Sequence, residues 1–143
     1  MELAVFDFAP GARVFFGPDA AGHASGAVAV ETGARAWTLF DAARAPRGVS
    51  LAEGCEVIGL ARAAPSSPVL GLVVLDAERR QASHLLPDGV KEIARAPRPV
   101  ASACVSRAFG HLAWRAESGE IAVVDIVSGA NLVTLATGAK DGA

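Results

Sequence analysis

Three histidines, three aspartates at expected strand ends and two cysteines are the residues of this chain best able to do chemistry. His23, His84 and His111 have no second histidine or cysteine at metal-ligand spacing. Each reads first as a surface or hydrogen-bonded histidine. Asp41, Asp76 and Asp125 each close an expected strand. Carboxylates so placed commonly bond the backbone of the following turn. If they converged, they could instead hold a divalent cation that activates water. Ser83 stands beside His84, but no Gly-x-Ser-x-Gly elbow is present. The Gly-rich stretch 17–26 lacks the Gly-Lys-Ser/Thr ending that cradles phosphate, and reads as a surface loop. Cys55 and Cys104 lie alone in apolar stretches and are expected to be buried small hydrophobes. No catalytic residue, metal site or cofactor is assigned from this inventory.

The elements that would position such groups are short. Runs of β-type residues bounded by turn residues dominate, with strands expected near 2–8, 13–16, 26–31, 35–41, 48–51, 56–61, 69–76, 81–86, 90–94, 101–106, 111–116, 120–126 and 132–136. Pro87-Asp88-Gly89, Glu117-Ser118-Gly119 and Ser128-Gly129 suit tight reversals. One segment is ambiguous. Residues 50–62 also fit a helix, with Ser50 and Glu53 in a capping-box pattern, although Gly54 and Gly59 disfavour it.

Thirteen Lys plus Arg against fifteen Asp plus Glu leave a charge of −2, which offers no footprint for nucleic acid. The basic residues are scattered, so no anionic membrane surface is matched either. The N-terminus lacks a positive leader segment, and the longest apolar run, 70–75, is far too short to span a bilayer. The expectation is a cytoplasmic chain with no nucleic-acid or membrane partner. Its Ala- and Arg-rich composition suggests a bacterial source.

The patterns repeat. Gly48, Gly89 and Gly129 recur at about 40 residues, the period of a β-propeller blade. Glu31-Thr32-Gly33 and Glu117-Ser118-Gly119 each lead into a strand. The reading is an all-β single domain over 1–143, with about three four-stranded antiparallel blades near 9–53, 54–97 and 98–138: half a propeller. The strand at 2–8 is left over and available for exchange. Three blades leave two apolar flanks, which monomers rarely tolerate. Cover would come from a second copy of the chain or from a companion β-propeller chain.

Residues 111–136 resemble the second to fourth strands of a WD40-type blade. The resemblance rests on Leu112-Ala113-Trp114, the turn Ser118-Gly119, the strand Ile121-Ala122-Val123-Val124-Asp125 and the turn Ser128-Gly129. Val124-Asp125 stands where that family usually has Trp-Asp, and Gly110-His111 lies too close to it to take the family's Gly-His role. The resemblance implies a propeller-like fold and no reaction. In size and style the chain is similar to divergent bacterial propeller components that act beside an AAA-type ATPase and a von Willebrand A-type domain.

The expected function is therefore a non-enzymatic protein–protein interaction module. Leu3, Val5 and Phe8 of the N-terminal strand, with Val133 and Leu135 of the last, are the expected partner interface. Trp37 and Trp114 are expected in the core. Two other readings are a small metal-dependent propeller hydrolase or lactonase using Asp41, Asp76 and Asp125, and an α+β ligand-sensing regulatory domain with 50–62 as a helix.

Overall fold

The computed structural model describes residues 12–17, 27–41, 44–64, 67, 69–106 and 110–136. Leu3, Val5, Phe8, His23 and most of the 17–26 loop lie outside them. Twelve strands and no helix occur among the described residues. They are β1 (Val14–Phe16), β2 (Val28–Gly33), β3 (Ala36–Asp41), β4 (Arg44–Ser50), β5 (Glu56–Arg62), β6 (Leu70–Leu75), β7 (Gln81–Leu86), β8 (Gly89–Arg95), β9 (Val100–Ser106), β10 (His111–Ala116), β11 (Glu120–Asp125) and β12 (Asn131–Ala136). The strands form three four-stranded antiparallel sheets, β1–β4, β5–β8 and β9–β12, each a simple meander.

The ambiguous 50–62 segment resolves as the end of β4, a turn over 51–55 and β5, with no helix, which removes the basis for the α+β reading. The two glycines are decisive. Gly54 takes a φ of +85° in the turn before β5, a conformation only glycine adopts without strain. Gly59 lies within β5, where an added Cβ would stand 2.6 Å from the Cβ of Val105 in the next sheet.

Burial explains the rest. The middle sheet is covered on both faces, so β6 reads as an unbroken apolar run instead of an alternation. Leu72 and Val74 pack against Ala29, Trp37 and Leu39 of the first sheet. Val73 and Leu75, pointing the other way, pack against Leu112, Trp114 and Val124 of the third. Both tryptophans are buried as expected, Trp37 with Phe15 at a ring-centroid distance of 5.7 Å. Between sheets the first strands come closest, β1 beside β5 and β5 beside β9.

The pairing register shows a repeat more exact than the glycine spacing. Phe15, Ala29, Leu39 and Arg47 form one cross-strand row in the first sheet. Gly59, Val73, His84 and Lys91 form the matching row in the second. Cys104, Ala113, Val123 and Val133 form it in the third. Gly48 does not mark the turn that Gly89 and Gly129 mark. It sits inside β4, paired with Thr38, because β4 starts earlier than expected.

The fourth strands are outer edges of differing character. β4 carries Arg47 and Pro46, and β8 carries Lys91, Glu92 and Arg95. β12 reads Asn-Leu-Val-Thr-Leu-Ala, with neither charge nor proline.

Replacing Leu72, fully buried between the first two sheets, with Ala should cost about 2–5 kcal/mol in a urea titration. Gly71→Ala should be comparably harmful, since its Cβ would lie 2.2 Å from the Leu85 carbonyl oxygen; a wild-type unfolding midpoint would contradict the packing described.

Candidate functional site

Asp76, Asp125 and His84 are engaged in holding the sheets. Asp76 Oδ1 accepts the backbone N–H of Arg80 at 2.8 Å and of Gln81 at 3.0 Å, closing the β6–β7 turn. Asp125 Oδ2 accepts the Ser128 N–H at 2.9 Å and its hydroxyl at 2.7 Å, closing the β11–β12 turn. These bonds hold both carboxyls below their ordinary range; for Asp76 they outweigh the opposing cost of burial, the largest single influence. The two aspartates follow strands of different rank in their sheets, second and third, so the register does not align them into a ring. The Asp41 side chain lies outside the described part of the structure. Among the described residues no three His, Cys, Asp or Glu side chains come together.

His84 is 1% exposed. Its Nε2 lies 3.0 Å from the Ala61 carbonyl oxygen and 3.1 Å from that of Gly71. Both partners only accept, so Nε2 carries the proton and donates to the pair. Burial pushes the pKa below the ordinary histidine value, against the two carbonyls, and the Lys91 ammonium adds to the lowering. His84 is thus a neutral pin tying β7 to β5 and β6.

Cations join sheet to sheet. Arg47 Nη2 donates to the Leu70 carbonyl at 2.9 Å, linking the first sheet to the second. Lys91, at the same register position, donates to the Val127 carbonyl of the third. Arg79 makes a second link there, donating from Nε to the Val100 carbonyl at 2.7 Å, from Nη2 to that of Ala101 at 3.3 Å, and from Nη1 to Glu56 at 2.6 Å. In the third sheet Val133 occupies the register position of Arg47 and Lys91. Sequence reasoning missed these pins, although Arg47 and Lys91 stand in comparable places in two repeats.

What distinguishes the molecule is its two outer faces. On the third sheet the outward row Cys104, Ala113, Val123, Val133 is flanked by Ser102, Arg115, Ile121 and Leu135. Val133 is 43% and Leu135 52% exposed. Cys104 is exposed here and Cys55 half-buried, which corrects the expectation that both are core residues. The cause for Cys104 is that Ala103 and Val105 take the inward positions of β9. Small side chains leave a shallow hollow of about 310 Å³ on this face, lined by Ser102, Cys104, Ala113, Arg115 and Ile121. On the first sheet the outward face carries Val14 and Phe16, 47% and 61% exposed, with Val28 and Phe40 half-buried.

No protein-family model matches this chain, and comparison with curated proteins yields no match. No helix among the described residues is long and apolar enough to cross a membrane.

The pinning role of His84 has a pH signature. Below the ordinary value of 6.5 the unfolded chain binds a proton that the folded chain refuses, so stability falls as pH falls. Melting temperature should decline as pH falls from about 6.5 to about 5.5, above the range where carboxylates contribute. His84→Gln should flatten part of that slope while lowering stability at neutral pH by about 1–3 kcal/mol. An unchanged slope would refute the assignment. Arg79→Gly, which suits its φ of +61° but removes the inter-sheet links, should cost about 1–2 kcal/mol, discounted because its partner Glu56 is 43% exposed.

Proposed function

We propose that this chain is a non-enzymatic interaction module, three blades of a β-propeller whose outer faces are completed by sheets of the same kind. One observation carries the reading: a single cross-strand register recurs in all three sheets, buried at the two internal junctions and open on the outer face of the third. A face of that construction is suited to stacking on another sheet. The closest approach of the first strands supports the same reading, because blades of a propeller meet through their innermost strands. The WD40-type resemblance of 111–136 is consistent with it.

The cover comes from a second copy or from a companion propeller chain, within the bacterial cytoplasm. The hydrolase reading is weakened because Asp76 and Asp125 are committed to turns.

Native mass spectrometry tests the module directly. The chain should appear as an assembly, by itself or with a companion propeller chain added. Val123→Glu places a carboxylate in the centre of the third sheet's outer face and should weaken that assembly about 100-fold, leaving the fold intact by circular dichroism. A monomer that stays soluble and ignores every propeller partner would overturn the proposal.

A further inference from the structure

At each internal junction an apolar side chain of one first strand meets a glycine of the preceding sheet, and the second junction serves as the template for the outer faces. In the second junction Val105 of β9 presses on Gly59 of β5, where no side chain beyond hydrogen fits. In the first, Leu60 of β5 presses on Gly17 at the end of β1, its Cδ2 lying 3.2 Å from where a Cβ would stand. The two glycines differ in register: Phe15 stands where Gly59 does, and Gly17 lies two residues further along, just past β1, where Ala27 of its own sheet is nearer still at 2.8 Å.

Register identifies the third pair. Leu60 pairs with Leu72, Val105 pairs through β10 with Leu112, and Phe16 pairs with Val28 in the same position of the first sheet. Phe16 is thus the counterpart of Leu60 and Val105. Leu60 is only 2% exposed, whereas Phe16 is 61% exposed. The counterpart of Gly59 is Cys104, which lines the hollow with Ser102 and Ala113. The recess differs from the template in two ways: Ala113 replaces Val73 and opens it, whereas Cys104 replaces Gly59 and narrows it at the contact, so a seam taking the bulkier Phe16 is wider than the internal one.

Phe16 and the hollow lie on opposite outer faces of the three-sheet stack, so one copy cannot join them to each other. We infer that the cover is a second copy of this chain, its Phe16 seated in the hollow beside Cys104 and Ala113 of the first, with the reciprocal contact made at the other end. This rests on the interaction-module reading and narrows it. The arithmetic favours two copies: closed propellers hold roughly four to eight blades, and six is the only multiple of three in that range. A two-fold axis makes both seams identical and leaves neither face open.

Disulfide trapping tests the seam. A Phe16→Cys, Cys55→Ser variant should form, under mild oxidation, a covalent dimer whose peptide map joins positions 16 and 104, since the template Cβ positions are 2.6 Å apart and the wider seam that Cys104 requires moves them toward the roughly 3.5–4.5 Å of a disulfide. Adding Cys104→Ser should abolish that link. Without any substitution, alkylation of Cys104 should become about tenfold slower as protein concentration rises through the dimerisation range, by mass action. A dimer by native mass spectrometry without a 16–104 link would overturn this seam and leave the interaction module standing. A monomer whose Cys104 reacts at the same rate at every concentration would overturn the second copy as occupant, and the module would then depend on a companion chain. A monomer that also refuses companion propeller chains would end both.

Discussion

Everything in this molecule depends on the middle sheet being wet on neither face. Side chains alternate along β5 and β6, so one set of residues meets the first sheet and the intervening set meets the third. Each large apolar side chain fully removed from water contributes about 1.5–3 kcal/mol. The middle sheet collects that gain twice, and the outer sheets once each. The asymmetry follows from stacking alone and does not require any residue to be special.

Polar groups in such a stack have to be satisfied without spoiling the apolar contacts. The chain does so at the margins. Arg47, Lys91 and Arg79 reach carbonyl groups of the adjoining sheet, and the aspartates close turns at strand ends. His84 is the exception, placed deep in the middle sheet, where it serves two carbonyls that β6 and β5 leave at their ends. A hydroxyl or an amide there would serve the same acceptors, but the imidazole also fills space beside Val73, its cross-strand neighbour. Asp76, Asp125 and His84 are thus consumed by architecture.

Much of the architecture was legible in the residue order. The all-β class, the turns at Gly119 and Gly129 and the buried tryptophans follow from alternation and turn chemistry. The apolar run 70–75 marks a doubly covered strand, although a run alone does not say which sheets cover it. Two things were not legible. Gly48 looks like a turn residue by spacing, yet spacing ignores where a strand begins, and β4 starts at Arg44. Cys104 looks like core because its neighbours are apolar, but a period of two puts Ala103 and Val105 inward and Cys104 outward. Of the interface residues chosen, Val133 and Leu135 fall on the open face of the third sheet, while Leu3, Val5 and Phe8 lie outside the described residues. Phe16 and Ala113 are unremarkable in the sequence and acquire meaning only through register.

The three outer edges differ in a way that bears on handling the protein. Charge and proline on β4 and β8 discourage another backbone from adding to them. β12 has neither defence. Among the described residues β12 is thus the one outer edge open as a template, and at high concentration without its cover fibrous precipitation by successive addition at that strand would set in while the three cores remain folded.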